Sequence, residues 1–109
     1  MKYQLGEFEE IVLLLVAAQH DQAYGLSITN AIENDLKRSV KMSSVHTALY
    51  RLEEKGYVES RVGGATSERG GRSKRFFTIT KSGKAAILEY KEARNLIWNQ
   101  IPRLVIDNI

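Results

Sequence analysis

The chain has 109 residues, 43% of them hydrophobic, so one small domain is expected, of a size that often gains stability by association. It holds no cysteine, which excludes disulfides, thiolate metal sites and cysteine nucleophiles and fits a reducing, cytoplasmic setting. The net charge of +3 is unevenly spread: Lys37, Arg38, Lys41 and Arg51 share a stretch with no acid, and Arg61, Arg69, Arg72, Lys74 and Arg75 share one with Glu68 alone. Segregated positive charge of this kind is an electrostatic footprint for a polyanion, although a solvated basic surface would also produce it.

In chain order, Leu5 to His20 predicts a first helix, because Leu5, Phe8, Ile11, Val12, Leu15 and Val16 recur at spacings of three and four. Glu7, Glu9 and Glu10 precede its apolar run, the reverse of a secretion signal, and Ile11 to Ala18 is too short to span a bilayer, so no membrane association is expected. Ala23-Tyr24-Gly25 predicts an entry turn, and Ser27 to Leu36 a second helix with Ile28, Ala31, Ile32 and Leu36 inward. Ser39 to Met42 predicts a loop with room for one short strand. Ser43 or Ser44 can cap a third helix through its hydroxyl.

That third helix is predicted from about Ser44 to Lys55, with Val45, Leu49 and Leu52 on one narrow face. Gly56 is placed as a left-handed stop. Tyr57 to Val62 and Lys74 to Thr80 predict two strands, the second with Phe77 and Ile79 alternating inward, joined by a basic loop from Gly63 to Ser73. Thr80 or Ser82 begins a last helix that runs to about Ile101, before Pro102 ends it. The tail from Arg103 onward is again apolar. The order of elements gives an α+β fold with the layout of a winged helix-turn-helix: three helices, a β-hairpin wing, and a further C-terminal helix. The division expected is 1–80 for the winged unit and 81–109 for the helix and tail.

The second of two closely linked helices can enter the major groove by its N-terminal half, and here that half carries Ser43, Ser44, His46, Thr47, Tyr50 and Arg51. Arginine can pair with guanine bidentately, and hydroxyls and imidazole can reach base edges or phosphates. His46 could equally be an ordinary surface histidine, and Tyr50 a half-buried packing residue with a wet hydroxyl. In the wing, Gly70 and Gly71 allow close backbone approach while Arg69, Arg72 and Lys74 supply charge to phosphates or the minor groove. GGRSK lacks the strand–loop–helix setting of a nucleotide phosphate loop. The only two histidines, His20 and His46, stand in different helices with no metal or nucleophile spacing, so neither an enzyme nor a cofactor is expected.

The last helix carries a broad apolar stripe, Ala86, Ile87, Tyr90, Ala93, Ile97, Trp98 and Ile101, with too little chain left to cover it. Ile87, Tyr90, Ala93, Ile97, Trp98 and Ile101 are therefore expected to form the interface of a two-fold homodimer, with recognition helices one DNA turn apart, roughly 34 Å. Trp98 either packs that interface or, with Phe8 as a weaker companion, lines a pocket for a small hydrophobic or aromatic effector.

These residues resemble the PadR family of bacterial transcriptional regulators over Leu5 to about Tyr90. LGEFEEIVLLLV is similar to the family's first helix, AYGLSITNAIE to its second, VHTALYRLEEKGYVESR to its third helix and first wing strand, and ERGGRSKRFFTITKSGKAAI to the rest of the wing and the start of the last helix. The resemblance implies a homodimer, formed through the C-terminal helix, that binds inverted-repeat operators in double-stranded DNA and commonly acts as a repressor. It also implies that some members release DNA on binding phenolic acids or hydrophobic drugs. By position, Ser44, Thr47, Tyr50 and Arg51 would touch DNA from the helix, and Gly71, Arg72 and Lys74 from the wing. The chain departs from the pattern at HDQA before the Tyr-Gly and at GGATSE, which lengthens the wing. A single helix after the wing places it with the short-tailed subgroup. Drug-sensing members there have a tryptophan facing a pore between subunits, and Trp98 lies about one turn beyond that position. A winged-helix module for protein or RNA, without operator specificity, is the alternative, since fold alone does not assign function.

Overall fold

The computed structural model describes residues 2–63 and 74–107. Its order is α1 (Glu7–Ala18), a single 3-10 turn, β1 (Ala23–Tyr24), α2 (Gly25–Asp35), α3 (Met42–Glu54), β2 (Val58–Gly63), β3 (Lys74–Ile79), α4 (Lys81–Trp98) and α5 (Arg103–Asp107). The three strands form one antiparallel sheet in the order β1-β3-β2. The expected α+β winged arrangement is present, with one strand more than the sequence predicted. Ala23 and Tyr24, read as an entry turn, pair with Phe77 and Phe76 and so tie the start of α2 to the wing sheet. Two residues are too few to give a period-two signal, so the sequence pattern carries no mark of this strand.

α1 buries Val12, Leu13 and Val16; α2 buries Ile28 and Ile32; α3 buries Val45, Ala48, Leu49 and Leu52. Phe77, at zero exposure in the central strand, and Ala86 of α4 complete the core. The first turn of α4 is part of the same body, because Gly83 is buried as well.

The helix ends show which local signals governed. α3 stops as expected at Gly56, whose φ of +79° is the left-handed region that glycine tolerates. The Tyr57 N–H donates to the Leu52 carbonyl and the Gly56 N–H to that of Glu53, the paired bonds of a Schellman motif. Thr80 caps α4: its hydroxyl accepts from the Gly83 N–H at 3.0 Å and donates to the Gly56 carbonyl at 2.6 Å. The start of α3 corrects the expectation that Ser43 or Ser44 is its cap. The cap position is Lys41, with no side-chain bond, and both serines lie within the first turn. α2 likewise begins two residues early, at Gly25, because the Ser27 hydroxyl accepts from the Tyr24 N–H at 2.9 Å and so serves the helix from its third position. No strand forms between α2 and α3.

α4 ends at Trp98 rather than Ile101, and the apolar tail folds into α5 beyond Pro102. The radius of gyration is 16.4 Å and the extents are 59 × 30 × 20 Å. About 13 Å is usual for a compact domain of this size, so the second half of α4 projects from the body as an arm.

Candidate nucleic-acid interface

α3 presents an uncovered face. Ser43, Ser44, Thr47, Tyr50 and Arg51 are all exposed along it, opposite the buried Val45, Ala48, Leu49 and Leu52. Thr47 turns its hydroxyl proton back to the Ser43 carbonyl at 3.0 Å and keeps its lone pairs outward. Among the described residues the Arg51 guanidinium makes no hydrogen bond or salt bridge. Its guanidinium, beside a hollow shared with Ser44, Thr47 and the first turn of α1, is therefore available to an incoming acceptor.

His46 and Tyr50 have more local work than the helical pattern conveyed. The His46 ring lies against Gly25, so closely that a Cβ added there would come within 2.5 Å of its Cε1. Its Nδ1 is buried with no hydrogen-bond partner among the described residues, and its ring stacks on Tyr50 with centroids 6.1 Å apart. Tyr50 also meets Phe77 edge-on at 6.4 Å. Half-buried His46 thus packs the α2–α3 contact and props Tyr50, whose exposed side remains on the outward face.

The base of the wing is braced by cations. Lys74 is exposed and sets its ammonium 4.4 Å from the centre of the Tyr24 ring. Arg61 lies over Phe76 at 4.9 Å and donates to the Asp21 carbonyl. Arg75, absent from the sequence-based set, donates to the Ser60 hydroxyl at 2.9 Å, and that hydroxyl bonds the Glu53 carboxylate on α3. Glu53, near the end of α3, therefore anchors the hairpin to that helix. Arg69, Gly71 and Arg72, expected at the wing tip, lie outside the described residues.

Two further cations flank α3 and are held by the acidic first turn of α1. Arg38 bonds Glu7 at 3.0 Å and covers the Phe8 ring at 5.3 Å; Lys55 bonds Glu9 at 2.7 Å. Burial by itself raises the Glu9 pKa. The hydrogen bonds from Lys55 and from the Gly6 N–H outweigh it, and the carboxyl is held below its ordinary value. A depressed folded-state pKa contributes stability above the unfolded value of about 4.5 and loses it as pH falls through the folded one. Glu9→Gln should therefore flatten the loss of stability as pH falls below the unfolded value, as read from urea midpoints; an unchanged acid limb would contradict this.

On α4 the expected interface set divides. Ile87, Tyr90 and Ala93 are half-buried against the protomer's own body or its edge, whereas Ile97 and Trp98 are each 60% exposed. Leu96, missed in the stripe, is 63% exposed, and Leu104 of α5 is 72% exposed. Tyr90, Ala93, Arg94, Ile97, Trp98 and Ile101 line an open hollow of about 580 Å³. Phe8 does not join it: within one chain it lies beside Ser44, Thr47 and Arg51, in the hollow next to α3. Among the described residues no cluster of metal-ligating side chains occurs, and no helix is long and apolar enough to cross a membrane.

Solved structures share this architecture. A PadR-like transcriptional regulator from Bacillus cereus superposes with a TM-score of 0.71 at 19% identity, over 90% of each chain. A Streptococcus mutans protein gives 0.70 at 26% identity, over 100% of this chain and 97% of its own. Bacillus subtilis PadR, in complex with operator DNA, gives 0.68 at 21% identity, over 80% of this chain and 48% of its own. No curated protein matches the sequence. The sequence pattern of the PadR-like family of transcriptional regulators matches residues 12–89, from within α1 to the middle of α4. The match covers well over half of the sequence, and the chain belongs to that family of transcriptional regulators.

Proposed function

We propose that the chain binds double-stranded DNA as a two-fold homodimer joined through α4, reads an inverted-repeat operator in the cytoplasm, and acts as a repressor. Residues 1–80 form the reading head and 81–109 the arm that pairs the heads. The observation that carries this reading is the uncovered face of α3, where Ser44, Thr47, Tyr50 and Arg51 stand exposed next to a cation-braced hairpin. The Bacillus subtilis neighbour supports it, since that protein is bound to operator DNA. Ser43, His46 and the wing residues Arg69, Gly71, Arg72 and Lys74 complete the proposed contact set.

The exposed Leu96, Ile97 and Trp98 supply the apolar surface for pairing, with Ile87, Tyr90, Ala93 and Ile101 beside them. A small aromatic or hydrophobic effector is assigned to the hollow at Trp98, with Phe8 as a lining residue only if the partner subunit contributes it. For the interaction-module alternative, the aromatics of the wing strand offer single-stranded RNA little to stack on. Phe77 is fully buried, and Phe76 lies between the rings and guanidinium of Tyr24 and Arg61.

Sedimentation tests the assembly. The native chain is expected to run as a dimer and Ile97→Asp as a monomer, with affinity for an inverted-repeat duplex reduced about 100-fold through lost bivalency. A monomeric native chain, or an Ile97→Asp variant that still dimerises, would overturn the proposed pairing.

A further inference from the structure

The last buried side chain of α4 is Ala86, yet the helix continues for twelve residues, to Trp98. What holds it just beyond the core is the chain's own N-terminal segment. The Glu89 carboxylate accepts from the Lys2 N–H at 3.1 Å and the Tyr3 N–H at 3.2 Å. The Tyr90 hydroxyl accepts from the Leu5 N–H at 2.8 Å and donates to the Tyr3 carbonyl at 3.2 Å. The other side of the segment is fastened to the C-terminal end of α3. The Gln4 carbonyl accepts from the Lys55 ammonium at 3.1 Å, the Gln4 N–H reaches the Tyr57 hydroxyl at 3.4 Å, and the Tyr3 ring meets Tyr57 edge-on at 6.0 Å. Residues 2–5 are thus a strap between the arm and the recognition helix.

Its position gives it leverage. Gly83 lies so close to the Tyr57 carbonyl that a Cβ there would come within 2.2 Å of its oxygen, and it acts as the fulcrum where the start of α4 packs on the body. Tyr90 lies seven residues further along, about 10 Å at the rise of an α-helix. Any tilt of α4 about Gly83 must break or drag the strap, and the strap is bound to Lys55 and Tyr57. Arg94 bonds Glu10 one turn beyond, but that contact reaches α1 and not α3.

We propose that Glu89 and Tyr90 are positioning residues: through residues 2–5 they fix the angle between α4 and α3. In a dimer joined through α4, that angle sets the separation of the two recognition helices and so the half-site spacing the protein accepts. The spacing consequence rests on the dimeric reading given above; the coupling of α4 to α3 does not.

The test uses the full chain, which has no native cysteine to compete for labels. Nitroxides at Glu54→Cys and Glu92→Cys, diluted with excess unlabelled protein, report the distance from α3 to α4 by pulsed dipolar spectroscopy. Tyr90→Phe with Glu89→Gln keeps the ring and the size while removing most of the strap's acceptors. The native distribution is expected to be narrow, and the variant's about twofold wider as the arm samples further orientations. Deleting residues 2–5 should widen it equally, and combining both changes should add nothing, as a shared link requires. On duplexes with half-sites moved by one base pair, the native chain should lose about tenfold in affinity, the order of one lost base contact, and the variant under about threefold. Unchanged width overturns the proposal, and a widened distribution with the spacing preference intact overturns its spacing consequence. A monomeric native chain would overturn the spacing consequence, while the distance measurement would still decide the coupling.

Discussion

Gly83→Ala is expected to destabilise the fold by about 3 kcal/mol or more, a fall of about 12 °C in the melting midpoint for a domain of this length. A Cβ at that position would lie 2.2 Å from the Tyr57 carbonyl oxygen and 2.8 Å from Cγ1 of Ile79. The obstruction is backbone, and that carbonyl already accepts the Thr80 N–H at 3.0 Å, so it cannot move aside freely. Relief requires α4 to shift off the body, which exposes Ala86 and loosens the Thr80 cap. Gly56→Ala makes the contrast. A Cβ there meets nothing within 4 Å, and the cost comes only from φ at +79°, about 1 kcal/mol. Thermal melts of the two variants beside the parent should give that order. A Gly83→Ala protein that melts with the parent would show that the start of α4 does not pack against the Tyr57 carbonyl as described.

The second large effect concerns Arg51. On the proposed reading, Arg51→Ala should weaken operator binding by about 1–3 kcal/mol, roughly 5- to 150-fold, and relax preference at one position of each half-site. Its guanidinium is exposed and makes no hydrogen bond or salt bridge among the described residues, so little folding energy is lost with it. Lys74→Ala should instead weaken binding about equally on all sequences and reduce the salt slope by about one. Anisotropy titrations on matched and mismatched duplexes separate the two behaviours. Equal binding by Arg51→Ala and the parent would move the interface off this face of α3.

Features repeated along the chain were the legible ones. Period-3.6 spacing placed all four main helices, alternation placed Phe77 inward, and Gly56 and Thr80 marked their helix ends correctly. Features that depend on residues far apart in sequence were not legible. β1 is defined by pairing with Phe76 and Phe77, more than fifty positions away. The role of His46 depends on Gly25 across the α2–α3 contact, and that of Arg75 on Ser60 and Glu53. Tyr90 stands in the apolar stripe of α4, and nothing in that spacing reveals that its hydroxyl also serves the N-terminal strap inside the protomer. Leu96 fell off the stripe by its angle on the wheel and is nonetheless among the most exposed apolar residues, because the arm projects beyond anything that could cover either side.

Selection of bound duplexes from a random pool at near-physiological salt asks whether this regulator reads DNA as a pair of heads. Enrichment of an inverted repeat with half-site centres about one helical turn apart, roughly 34 Å, is the expected result. A pool that emerges without an enriched sequence, with binding that disappears as salt rises, would contradict it and reduce the basic face to a general polyanion surface.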